Sequence, residues 1–147
     1  SYELRLLGSW KVGWGEGIAH AQLRVWDAAR CLPADDALCL LGGRFRVSGS
    51  WRTPSGATGV AHARALDDDG SGLLWFFDRD NPELTAKALD ACGLDGHRWL
   101  FLASGSNVEY RITVTDTVTG AVRSYANPQG TLPPLVADTS AFDCAAP

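Results

Sequence analysis

The hydrophobic pattern is densest between Leu73 and Asp116, and the chain is organised around this stretch. LLWFF, from Leu73 to Phe77, is apolar throughout, which predicts a strand buried on both faces. HRWLFLA sets Trp99 and Phe101 on one face and Leu100 and Leu102 on the other. VEYRITVT sets Val108, Tyr110, Ile112 and Val114 against Glu109, Arg111, Thr113 and Thr115, a half-buried strand with one wet face. Trp51, Trp75 and Trp99 lie in such patterned strands and are read as core.

Taken in order, the chain repeats the same alternation. Tyr2, Leu4 and Leu6 alternate with Glu3 and Arg5 until Gly8 interrupts, and Trp10, Val12 and Trp14 alternate again before a glycine-rich turn. Ile18 to Trp26 reads as a strand with Ala19, Ala21, Leu23 and Val25 on one side and His20, Gln22 and Arg24 on the other. Asp27 to Leu38 reads as a loop around Pro33. Leu41 to Arg52 places Phe45, Val47, Gly49 and Trp51 inward, and Arg44, Arg46, Ser48, Ser50 and Arg52 outward. Thr53 to Gly59 is a hairpin connection rich in turn formers, and Val60 to Ala65 resumes the strand. Glu83 to Asp90 fits either a strand with Leu84, Ala86 and Ala88 inward or a short helix. After Val114, the DTVTG turn leads into AVRSYA as an antiparallel hairpin, and Val136 to Phe142 is an edge strand. Eight to ten short strands with turns between them, and no amphipathic helix, predict an all-β fold: an antiparallel β-sandwich with jelly-roll or Greek-key connections.

Composition adds the compartment. At 147 residues the chain is long enough for one domain that buries about two-thirds of its extended surface. The four cysteines, Cys31, Cys39, Cys92 and Cys144, form no CxxC pair and have no histidine at zinc-finger spacing. Two disulfides in an oxidising compartment are the expected state. Of the three possible connectivities we favour Cys31–Cys39, closing a short loop around Pro33, with Cys92–Cys144 tying the C-terminal tail to the core. The chain begins at Ser1 without a signal-peptide pattern and contains no Met, and it is read as a processed or trimmed product. A formal net charge of −4 argues against a nucleic-acid partner or an anionic membrane surface, and no apolar run approaches a membrane span.

Candidate chemistry is sparse. Asp67, Asp68 and Asp69 form one acidic turn, and Asp78, Asp80, Asn81 and Glu83 a second. The second is the candidate calcium site, structural in role, although Asp and Asn in turns also cap their own backbone. Neither has EF-hand spacing, and no other cofactor is expected. Trp10, Trp14 and Trp26 lie among glycines and are candidate ligand-binding residues, since exposed aromatics stack on sugar rings; the plainer reading has them plugging the sandwich or a subunit interface. His20, His62 and His97 sit in separate predicted strands. There is no GxSxG nucleophile and no phosphate loop, so an enzyme is not expected. Arg44, Arg46 and Arg52 share the wet face of GRFRVSGSWR, where they either bind an anion or solubilise a sheet.

Three pieces in this order carry a resemblance: LCLLGGRFRVSGSWR (Leu38 to Arg52), the run from Leu73 to Gly130 with WFFDRDNPEL and SNVEYRITVTDTVTG inside it, and ADTSAF (Ala137 to Phe142). Together they resemble an uncharacterised β-sandwich module of secreted bacterial proteins, over about residues 38 to 142, with residues 1 to 30 outside it. The resemblance implies a secreted or cell-surface, non-enzymatic module within the single domain 1–147, and brings no catalytic residues. The expected function is an extracellular structural or interaction module whose partners are other protein subunits, itself included, joined through the N-terminal strand SYELRLLGSW. The alternative is a carbohydrate-binding module that meets polysaccharide through Trp10, Trp14 or Trp26.

Overall fold

The computed structural model describes residues 6–7, 22–23, 30–66 and 68–144, which fall in two units, Ser1–Arg30 and Cys31–Pro147. In the first unit, β1 (Leu6–Leu7) pairs antiparallel with β2 (Gln22–Leu23), Leu6 opposite Leu23. The candidate sugar-binding residues Trp10, Trp14 and Trp26, and with them His20 and Asp67, lie outside the described residues.

The second unit holds ten strands in two antiparallel sheets. The first sheet is built from β3 (Leu38–Leu40), β4 (Phe45–Arg52), β5 (Thr58–Val60), β10 (Glu109–Asp116) and β11 (Val122–Asn127). Its order is β11–β10–β4–β3, with β5 beside the second half of β4. The second sheet holds β6 (His62–Ala65), β7 (Ser71–Trp75), β8 (Leu84–Ala91), β9 (His97–Ser104) and β12 (Val136–Asp143), in the order β12–β9–β8–β7–β6. The one helical turn among the described residues, α1 (Cys92–Asp95), links β8 to β9 and ends on Gly96 in the left-handed conformation.

The expected β-sandwich is therefore present, and the alternation of each strand explains its core. Phe45 and Val47 of β4, and Ile112 and Val114 of β10, face Leu74, Leu84, Ala86, Leu100 and Leu102 of the other sheet, all nearly fully buried. The Phe45 and Phe142 rings meet at 4.9 Å. Burying one such large side chain contributes roughly 1.5–3 kcal/mol. The open choice at Glu83 to Asp90 resolves as strand β8, with Leu84, Ala86 and Ala88 inward. Ala61 alone separates β5 in one sheet from β6 in the other; it is fully buried, and its N–H donates to Gly49 O at 2.8 Å. Both favoured disulfides form, Cys31–Cys39 and Cys92–Cys144, each with Cα atoms 5.6 Å apart.

Three expectations need correction. LLWFF is not buried on both faces: Leu74 and Phe76 point into the core, Leu73 and Trp75 are half-buried on the outer face, and Phe77 is exposed. The sheet is antiparallel with one face to the core, and the apolar outer positions find partial cover in ring contacts, Trp75 stacking on His62 at 5.3 Å. For the same reason neither Trp75 nor Trp99 is the core residue expected. Trp99 lies on the outer face of β9, where its indole N–H donates to Asp95 Oδ2 at 2.9 Å. Finally, Leu38 to Arg52 is a hairpin, not a loop followed by one strand. Leu41, Gly42 and Gly43 take φ of 52°, 65° and 80°, a left-handed turn that the Gly-Gly pair permits. Asp69 holds this turn: its carbonyl accepts from Leu41 N–H at 2.7 Å and its carboxylate from Gly42 N–H at 2.8 Å.

Candidate binding groove

The outward residues of β4 and β10 form a continuous polar surface. The two strands pair over eight positions, with Arg52 opposite Glu109, Ser50 opposite Arg111, Ser48 opposite Thr113 and Arg46 opposite Thr115. Alternation turns all of these away from the core. The strip becomes a groove because walls rise on either side. On one side stands β5. The Trp51 ring packs on Gly59, where a Cβ would lie 2.4 Å from a ring carbon, and its indole N–H donates to Val60 O at 3.1 Å. A side chain at position 59 would push β5 off the ring, so glycine sets the wall's position. On the other side stands the end of β11 with the turn after it. Asn127 Nδ2 donates to Thr131 O at 2.7 Å and Val108 O at 3.3 Å, and Gly130 N–H donates to Asn107 O at 2.8 Å.

Between these walls lies a cavity of about 800 Å³, lined by Arg52, Thr58, Val60, Glu109, Arg111 and Gln129 among others. A second cavity, of about 240 Å³, shares Ser50, Val60 and Arg111 with it and runs on past Ser48 and Arg46 to Asp36. Asp36 belongs to the loop closed by the Cys31–Cys39 bridge, so that disulfide fixes the groove's far end. The side chains of Arg46, Arg52 and Arg111 make no hydrogen bond or ion pair with the described residues. The arginine expected beside them is not there. Arg44 precedes β4 and escapes its alternation, and its guanidinium turns to the buried Asp116 at 2.9 Å. Arg111 takes its place across the sheet.

The remaining candidates lie apart from the groove. Asp78 Oδ1 accepts from Asp80 N–H at 2.9 Å, and Asn81 N–H donates to Asp78 O at 3.0 Å, a self-capped turn. Glu83 extends β8, its carbonyl accepting from Ser104 Oγ and Gly105 N–H. Among the described residues, only Asp90, Cys92 and Cys144 bring three ligand-type atoms within 4.8 Å of one another. Both thiols there are spent in a disulfide, which leaves one carboxylate. His62 Nδ1 bonds Asp35 Oδ2 at 2.5 Å, and His97 Nε2 lies 3.3 Å from Asp143 Oδ1. Neither histidine has a hydroxyl or thiol hydrogen-bonded to it among the described residues, and neither lines the groove. Asp68 is held below the usual carboxylate range, chiefly by the hydroxyl of Ser71, as a turn cap.

The sequence displays both outward polar strips. Their pairing across the sheet, which makes them one surface, joins residues about sixty positions apart and is a tertiary fact. Comparison of the chain with known protein families, with curated proteins and with solved structures finds no match.

Proposed function

We propose that this chain is a non-catalytic interaction module of a secreted bacterial protein, and that it meets its ligand in the groove over the outer face of the first sheet. The observation that carries this reading is the groove itself: about 800 Å³ of walled space over a strip of outward hydrogen-bonding side chains. That volume is in the range of ligand sites. The two disulfides and the lack of any long apolar helix among the described residues support a secreted setting. Ser50 is exposed at the point where the two cavities join, so Ser50→Trp fills the groove without touching the core. A panel of polysaccharides and peptides, read by thermal shift on the native chain and on Ser50→Trp, tests the reading. A ligand that stabilises the first and not the second is expected. A ligand that stabilises both equally places binding elsewhere.

Self-assembly through the N-terminal strand is the second reading, favoured by one observation. Among the described residues β1 and β2 form a sheet of two strands, and such a pair is marginal in water unless further strands extend it. Another copy of the chain supplies them in this reading. The mass in solution of residues 1–147 beside residues 31–147 decides it. Large species from the longer chain alone support assembly, and monomers from both remove it.

A further inference from the structure

We propose that the groove takes an acidic polysaccharide in which charged sugars are separated by neutral ones. The inference rests on the groove being the binding surface and adds the class of ligand. Three cations with no partner among the described residues lie on one face of a chain whose formal net charge is −4. Their spacing follows from the register. Arg111 is diagonal to Arg52, roughly 7–8 Å away at the backbone, and Arg46 is six residues from Arg52 along β4, roughly 20 Å. No single small anion spans that distance, but an extended chain does. Guanidinium forks match carboxylates in two-point contacts. Between them the floor offers the hydroxyls of Ser48, Ser50 and Thr113, suited to the hydroxyl groups of a neutral sugar.

Two other polymer classes fit less well. Glu109 sits directly opposite Arg52, and Asp36 closes the far end, so carboxylates stand in the same groove as the arginines. A densely charged strand such as nucleic acid meets them throughout its length; a polymer with spaced charges places neutral units there. A peptide recognised by strand addition needs a free sheet edge. Here the floor is β4 and β10, each hydrogen-bonded on both sides.

Calorimetric titration of the full chain tests this with four probes: hyaluronan, in which a uronate alternates with a neutral sugar; oligogalacturonate, charged at every unit; neutral dextran; and poly-L-glutamate. Hyaluronan is expected to bind most tightly and to weaken as ionic strength rises. Arg111→Gln and Arg52→Gln are each expected to weaken it roughly tenfold, the loss of one charged hydrogen-bonding partner. Arg64→Gln, exposed on the other sheet, is expected to leave it unchanged. All these positions face outward, and near-ultraviolet dichroism confirms that the variants keep their packing. Hyaluronan that fails to bind at low ionic strength, or binds the triple Arg46, Arg52 and Arg111 to Gln variant as well as the native chain, overturns the proposal. So does tighter binding of poly-L-glutamate. If dextran binds, is lost in Ser50→Trp and is indifferent to the arginines, the groove stands and its acidic ligand does not. If a probe binds and Ser50→Trp leaves it unchanged, the groove reading itself has failed.

Discussion

Asp116 is fully buried at the end of β10 and carries the charge of a buried ion pair. Burial alone would push its carboxyl up. Against this, Arg44 donates two hydrogen bonds and a positive charge, and the N–H groups of Val118 and Thr119 donate to the other oxygen. The second set prevails and holds the group below its usual value of 3.8. A carboxylate with a lowered pKa in the folded state adds stability above the unfolded value, and that stability is lost as pH falls through the folded one. Urea unfolding followed from pH 6 down to pH 3 is therefore expected to show a falling midpoint, and Asp116→Asn to flatten part of the fall. At neutral pH the same substitution is expected to cost about 2 kcal/mol, because Arg44 keeps some access to water. A sequence reading that places Arg44 on the wet face cannot anticipate this. The pattern shows which strand a residue joins only where the strand has begun, and Arg44 stands one position before it.

The strands themselves were largely legible, since alternation over eight residues in β4 and β10 leaves little choice of face, whereas the Ala and Leu content of β8 left helix and strand both open. Less legible were the points where elements lie unusually close. Gly72 on β7 is one: a Cβ there would sit 2.3 Å from Leu38 Cδ1 and 2.9 Å from the backbone oxygen of Arg64. Gly72→Ala is expected to cost roughly 1–3 kcal/mol by denaturant unfolding, as overpacked cores do. Gly93→Ala, with open space around it, is the control and should change little. Tyr125 is a second such point. It joins β11 in one sheet to β12 in the other through its hydroxyl, 2.7 Å from Asp138 Oδ2. Burial and the Asp138 carboxylate push its pKa well up. A group whose folded pKa is raised contributes stability below its unfolded value, near 10, and loses it as pH climbs further. Tyr125→Phe should lower stability by about 1 kcal/mol at neutral pH and make its decline above pH ~10 shallower. Nothing in AVRSYA marks Tyr125 for this role, because its partner lies on another sheet. The groove was hidden for the same reason, its two strips being separate in sequence.

For the second unit as a whole, the sheets' outer edges are poor templates for adding strands. β3, β5 and β6 are short, and β12 shifts register between Asp138 and Phe142. β11 turns Arg123 inward over the Phe142 ring at 5.6 Å. Short strands, irregular register and inward charges all discourage edge pairing. Residues 31–147 alone are expected to sediment as a monomer at every concentration tried. Stability at this scale leans on the two cross-links unequally. By the entropy of the closed loop, the bridge over 52 residues contributes about 4 kcal/mol and the one over 8 residues about 2.5. Replacing Cys92 and Cys144 by Ser should therefore lower the unfolding midpoint more than replacing Cys31 and Cys39. The same two bonds have a mechanical meaning. Cys31 and Cys144 lie at the two ends of the described part of this unit, each joined to a residue well inside it. Tension arriving from either side passes through sulfur to Cys39 and Cys92. The loop between Cys31 and Cys39 bears none of it, and β12 cannot be peeled from β9 by a pull on the chain beyond Cys144. Only the stretch from Cys39 to Cys92 can lengthen under load, while the 52-residue loop that ends at Cys144 stays closed however hard the chain is pulled.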